Sequence, residues 1–162
     1  MTTLKLIRMI PNTSVQVGAG CMVYTPGRYI IAKNLEKLES LLTPLGISQQ
    51  VPEKMMDAIT ALTACGSAYV YTVIKSMADG LITLGIPSQN AFKLTSQTVV
   101  GAAKMVLETG RHPAILRDEL CLPGESTIFG IHELEKFGIR NGFINAIETA
   151  TKKNEELGKL RK

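Results

Sequence analysis

Apolar and polar positions change rhythm near residue 52. Before it, short runs rich in β-branched and aromatic residues are broken by Pro and Gly: "LKLIRMI" at 4–10, "SVQV" at 14–17, "CMVYT" at 21–25 and "RYII" at 28–31, the last two flanking the turn Pro26-Gly27. Runs of this kind predict strands. "NLEKLESLLTPLG" at 34–46 puts Leu35, Leu38, Leu41 and Leu42 on one face, which predicts an amphipathic helix stopped by Pro44 and Gly46. "ISQQV" at 47–51 reads as one more strand. So few short strands are thin for an independent sheet.

From Pro52 onward the rhythm is helical. A long helix, apolar on all sides over 55–79, is predicted to start near Pro52 and Glu53 and to leave at Gly80 or Gly85, with Gly66 and Ser67 inside it allowing a kink. A second helix follows over 87–110, with Ser88 as N-cap and Gly110 just past its end. A short third has Pro113 near its first position. A fourth, over 126–138, carries the stripe Ile128, Ile131, Leu134 and Phe137, and a fifth, over 139–160, ends polar. The predicted fold class is mainly α: a helical domain over 52–162 preceded by a short α/β part over 1–51. A helix apolar all round must be covered on most sides. Five helices offer limited cover for it, so the pattern predicts pairing with a second copy of the chain.

Composition narrows the class. Hydrophobic residues are 45% and charged residues 20% of 162, enough apolar side chains for a globular core. The net charge of +4 is scattered apart from "KKNEELGKLRK" at 152–162, which mixes signs. Aromatics are 5% and Trp is absent. Neither feature favours nucleic acid as a partner. Cys21, Cys65 and Cys121 form no CxxC pair, so the expectation is neither a disulfide framework nor a zinc site, and a reducing compartment. "MTTLKLIRMIPNT" lacks the apolar run of a signal peptide, and no stretch approaches the roughly 18 apolar residues of a membrane span. A cytoplasmic or mitochondrial protein, not a secreted one, is expected.

Candidate chemistry is sparse. "VGAG" at 17–20 is followed by a strand pattern, where a dinucleotide loop needs a helix. His112 and His132 lack metal-site spacing, and His112 before Pro113 reads as a helix cap. "MIPNT" at 9–13 reads as a turn closing a strand. "TACGSAY" at 63–69 places small and hydroxyl residues on a buried helix, for tight packing or for a ligand-facing groove. "LPGESTIF" at 122–129 stands out. A Pro-Gly break delivers Gly124, Ser126 and Thr127 to a helix start, where backbone N–H groups and the positive end of the helix favour an anion. Ser126 or Thr127 as an ordinary N-cap fits the pattern equally well. No catalytic residue is picked out by type and spacing.

The stretch from Asp57 to Gly138, "DAITALTACGSAYVYTVIKSMADG…LPGESTIFGIHELEKFG", resembles the C-terminal domain of pyrroline-5-carboxylate reductase. Upstream, "LIRMIPNTSVQVGAGCMVYTPG" resembles the end of that family's dinucleotide-binding domain, with its Met-Pro-Asn-Thr-Pro segment. The resemblance implies long helices interlocked between two subunits, a substrate site at their interface, NADPH or NADH as hydride donor, and 1-pyrroline-5-carboxylate reduced to L-proline. It implies that the substrate carboxylate sits at Gly124, Ser126 and Thr127, with Thr60 and Glu53 also on the substrate side. Asn12 and Glu119 are the candidates on the cofactor side. The pattern departs from the family at two places. The usual Ser-Pro-Gly-Gly-(Thr or Ala)-Thr reads Leu122-Pro123-Gly124-Glu125-Ser126-Thr127, and Ser-Gly-Ser-Gly-Pro-Ala-Tyr reads Thr63-Ala64-Cys65-Gly66-Ser67-Ala68-Tyr69. Glu125 adds a negative charge where a carboxylate should bind. The family's Gly-rich phosphate loop is expected before Leu4 and has no counterpart here. A non-catalytic module that pairs with itself or with a full-length relative is the alternative.

Overall fold

The computed structural model describes residues 4–160. Met1–Thr3 and Arg161–Lys162, the ends of stretches read above, lie outside the described residues. Three strands form one sheet in the order β1-β2-β3: β1 Ile7–Ile10, β2 Gly20–Pro26 and β3 Gly46–Gln50. β1 runs antiparallel to β2, with Arg8 opposite Thr25. β2 and β3 are parallel, with Gly20 opposite Gly46. Parallel neighbours need a crossover, and α1, Ala32–Leu42, provides it.

Two predicted strands do not form among the described residues. Residues 28–31 turn away from the sheet: Ile30 donates to Gly27 O at 3.1 Å, and Ile31 becomes the N-cap of α1, its N–H received by Asn34 Oδ1 at 3.2 Å. Residues 14–17 belong to a 3-10 turn, Thr13–Val17, ended by Gly18 at φ 67°. The side chain of Asn12 accepts from Cys21 N at 3.1 Å and closes this loop onto the start of β2, which leaves no length for a strand. Where β2 and β3 begin, their backbones touch. Gly46 has φ 136°, and a Cβ there would lie 2.1 Å from the Gly20 carbonyl oxygen.

The core sits over β2. Val23, Val51 and Met56 are buried together, with Ile10 and Ile59 against them. Residue 51 is clamped to β2 by both backbone groups: its N–H donates to Tyr24 O at 2.9 Å, and its carbonyl accepts from Thr25 Oγ1 at 2.5 Å. Tyr24 is 1% exposed, and its hydroxyl donates to Glu39 on α1. Burial first, and the Glu39 carboxylate second, push this phenol up to about 12. A neutral phenol is thus favoured in the folded state. Its contribution is complete below pH 10 and falls away as pH rises towards 12, a loss on the order of 2 to 3 kcal/mol at most. Tyr24→Phe should weaken the fold by about 1 kcal/mol at neutral pH and then remove this alkaline loss. Urea midpoints of both proteins at pH 7 and 11 test it, and an equal alkaline loss in both would refute it.

The helices follow. A 3-10 turn, Glu53–Met55, leads into α2, Met56–Thr63, and then come α3, Gly66–Thr83, α4, Ser88–Thr109, α5, Pro113–Glu119, α6, Ser126–Lys136, and α7, Ile139–Leu160. The single long helix expected over 55–79 is interrupted at Ala64-Cys65. The hydroxyls of Thr60 and Thr63 bond back to Met56 O and Ile59 O, a pattern that bends helices, and Gly66 then opens α3. Pro87, not Ser88, holds the N-cap of α4, while Gly110 at φ 63° closes it as expected. His112 caps α5 through Nδ1, which accepts from Ala114 N at 3.2 Å.

The chain divides into two compact units. One comprises the described residues up to Tyr69 and those from Ile144 onward, and there Asn154 of α7 donates to Asp57 O of α2 at 3.1 Å. The other runs Val70–Phe143. Among its described residues only Ala78, Ala91 and Thr95 are buried, while Leu107 is 75%, Phe129 66% and Phe137 81% exposed. Its helices have large apolar side chains and almost no core of their own. No helix among the described residues is long and apolar enough to cross a membrane.

Candidate functional site

The stretch before α6 folds as its residue types dictate. Pro123 and Gly124 occupy the middle of a turn in which Leu122 O accepts from Glu125 N at 3.2 Å, and Gly124 takes φ 81°. Pro second and a positive-φ Gly third is the type II arrangement. Glu125 stands at the N-cap in extended geometry, and its side chain makes no capping bond. Ser126 and Thr127 lie inside the first turn, so neither is the cap. The reading of Ser126 or Thr127 as an ordinary N-cap does not hold. No side chain seals the start of α6, and its first N–H groups face outward with the positive end of the helix dipole.

Thr127 is half-buried and borders a cavity of about 520 Å³ that lies within the second unit. Met105 and Val106 of α4 and Leu116 of α5 give it apolar walls. Its two charged neighbours are already paired. Arg111 grips Glu119 with two guanidinium nitrogens, Nη1 to Oε2 at 3.0 Å and Nη2 to Oε1, and these hydrogen bonds hold the Glu119 carboxyl below its usual range. Arg117 donates through Nε and Nη2 to Asp118 Oδ1 at 2.8 and 2.6 Å. The Thr127 hydroxyl has no hydrogen-bond partner among the described residues.

Thr127 and Glu119 thus both border one cavity, with Gly124 exposed in the turn before α6 and Ser126 exposed at its first position. Glu53, Thr60 and Asn12 stand on the first unit. Thr60 donates its hydroxyl to Met56 O at 2.5 Å, and Asn12 spends its side-chain carbonyl on Cys21 N. Glu53 accepts from Arg8 of β1, whose Nη2 also lies 3.7 Å from Asp57 Oδ1. Arg8 and Arg111 were not foreseen. Arg111 stands in the connection before α5 and Glu119 is the last residue of α5, and Arg8 and Glu53 are 45 residues apart. Among the described residues no group of three or more His, Cys, Asp or Glu could hold a metal ion.

Long helices short of their own core, with an apolar cavity beside an uncapped helix start, mark a helical domain that associates. The pyrroline-5-carboxylate reductase dimerisation family matches residues 53–157, and the chain belongs to that family. Its relatives include pyrroline-5-carboxylate reductase 3 of Xenopus laevis and pyrroline-5-carboxylate reductase of Methanosarcina acetivorans, each 41% identical over 96% of this chain and 57% of the relative. The chain therefore spans little more than half the length of these curated relatives. Among solved structures, the pyrroline carboxylate reductase of Plasmodium falciparum with NADP bound superposes with a TM-score of 0.90 at 30% identity, over 97% of this chain and 63% of that one. The Coxiella burnetii enzyme gives 0.88 at 31% identity, over 94% and 57%.

Proposed function

We propose that this chain serves as the dimer-forming and substrate-holding part of a pyrroline-5-carboxylate reductase, which reduces 1-pyrroline-5-carboxylate to L-proline with NADPH or NADH. The observation that carries this reading is the unsealed start of α6 beside Thr127. The substrate is a small ring bearing a carboxylate. The N–H groups of Ser126 and Thr127 and the Thr127 hydroxyl hold that carboxylate, and the Pro123-Gly124 turn keeps them in place. Glu53 and Thr60, both of the first unit, are the further substrate-side candidates that the resemblance gives. Residues 1–51 act as the end of a dinucleotide-binding domain and 52–162 as the dimerisation and substrate domain. The protein works in cytoplasm or mitochondrion as a homodimer or larger homo-oligomer, joined through residues 52–160.

The described residues do not fit a dinucleotide by themselves. Residues 17–20 lead into β2, so no Gly-rich turn there opens a helix onto a phosphate. Asn12 and Glu119 are committed to Cys21 and Arg111. A second reading, a non-catalytic partner for itself or for a full-length relative, is favoured by Glu125, a carboxylate placed at the N-cap where an anion should bind.

Titration of L-proline into the purified chain tests the site. Leu122→Ser with Glu125→Gly should strengthen binding by about three- to tenfold, since it removes like charge from the helix start. Adding Thr127→Ala should reverse the gain. No heat of binding in either form, from a protein shown to be folded and associated, would end the substrate reading.

A further inference from the structure

We propose that Arg111 and Asp118, which stand outside the lining of the cavity beside Thr127, set the charge that this cavity shows to a ligand: Arg111 masks the Glu119 carboxylate, Asp118 masks the Arg117 guanidinium, and the walls are left neutral for the ring of a small carboxylate. This deepens the substrate reading above and rests on it. Among the described residues, Arg117 and Glu119 are the only charged side chains that border this cavity. Both belong to α5, and each is met from outside the lining. Gly110 ends α4 at φ 63°, and the N–H of Arg111 then donates to Thr109 Oγ1 at 3.3 Å, which ties the start of the connection to α4. From there Nη1 and Nη2 of Arg111 take one Glu119 oxygen each, so neither oxygen is left without a partner. Arg117 Nε and Nη2 both donate to Asp118 Oδ1. Glu135 of α6 also acts on Arg117, but it is itself paired with Arg140 at 2.9 Å. Unmasked, either group would misdirect a carboxylate. Glu119 would repel it from the cavity, and Arg117 would compete with Thr127 for it. With both masked, the carboxylate is left to Thr127 and the start of α6, and the ring meets Met105, Val106 and Leu116. Ion pairs this open to water add little to stability, so their effect is read in binding, ligand charge by ligand charge.

Three probes of similar shape test this on the whole chain at about 0.15 M salt: cyclopentanecarboxylate, the neutral cyclopentanecarboxamide and the cation cyclopentylmethylammonium. Ligand-observed NMR titration reads their affinities. Arg111→Met exposes Glu119 and should weaken carboxylate binding by about two- to fivefold, leave the amide unchanged and strengthen the cation. Asp118→Asn exposes Arg117 and should shift both charged probes the opposite way. Arg111→Met combined with Glu119→Gln should return all three probes to parent values. Lys136→Met is the control, because position 136 lies roughly 13 Å along α6 from Thr127, past the ~8 Å over which a charge acts in this salt. Circular dichroism shows whether each variant is folded, and Asp118→Asn carries the test should Arg111→Met fail to fold. The same shift in all three probes, no reversal between anion and cation, no shift, or an equal effect from Lys136→Met would overturn the proposal and leave the substrate reading standing. A folded parent chain that binds none of the probes would sink both.

Discussion

Tyr71→Asp and Met77→Asp should each abolish self-association of this chain and most of its helical signal. Both side chains lie on α3 and are 60% and 46% exposed in a single chain. If the chain were stable alone, a charge at either place would change stability by no more than about 0.5 kcal/mol. In a subunit interface, each substitution buries an unpaired carboxylate at a cost of about 3–5 kcal/mol. The second outcome is expected because the unit Val70–Phe143 has little else to stabilise it. Exposed apolar patches of this extent mark contact surfaces. The glycines point the same way. Gly101 and Gly130 lie inside α4 and α6, and a Cβ at either would meet nothing within 4 Å. Alanine would favour the helix by about 1 kcal/mol at each, and close approach of a partner gives a reason for its absence. Sedimentation equilibrium with circular dichroism at low micromolar concentration decides. A compact, helical monomer, from parent or variant, would refute the expectation.

Residues 1–162, supplied with 1-pyrroline-5-carboxylate and either NADPH or NADH, are expected not to turn over at an enzyme's rate. Reduction of a ring imine needs the donor's carbon held against the acceptor's. Such alignment supplies effective concentrations of roughly 10⁵ M and above, which free dinucleotide in solution cannot approach. In this chain the loop at 17–20 leads into a strand and not a helix, so it offers no helix start to a phosphate. Glu125 weakens the hold on the substrate carboxylate besides. The decay of reduced-nicotinamide absorbance over buffer is the measurement. Sustained protein-dependent oxidation near the rate of an ordinary reductase would place a nucleotide site among residues that offer no phosphate cradle. Restored turnover on mixing with the rest of a relative's chain would agree with the division of labour proposed here.

Helices were the legible part of this sequence, and the reasons are local. Gly110, His112 and Pro113 mark the end of α4 and the start of α5 by conformation and capping alone. Leu35 to Leu42 predict α1 from spacing. The strands at 14–17 and 28–31 failed because composition reports preference and not partners. "RYII" is as β-rich as "CMVYT", but the position beside β2 belongs to β3, and parallel pairing sends the intervening chain into a helix. The break at Ala64-Cys65 was legible only as a kink at Gly66 and Ser67, since back-bonding by Thr60 and Thr63 depends on which rotamers the folded helix selects. At the site, Pro-Gly followed by hydroxyl residues announced the helix start. Whether a hydroxyl would cap it was undecided, because Ser126 and Thr127 suit the N-cap and the first turn equally. The partners of Glu53 and Glu119 come from other elements, and no spacing encodes them.

The backbone contact between Gly20 and Gly46 bears on how this sequence can drift. A side chain at position 46 would collide with the carbonyl of its partner strand, and one at position 20 would collide with Leu45 O, 2.7 Å away, and with Val15. Neither clash is relieved by trimming the opposite residue, since the obstacles include main-chain oxygens that every amino acid carries. Compensating pairs of substitutions are therefore closed to these two sites, whereas most packed neighbours can exchange volume with each other. Variation can reach them only by moving the point where the two strands meet, which means inserting or deleting residues in the loops at 11–19 or 43–45. In this corner of the molecule, length changes before identity does.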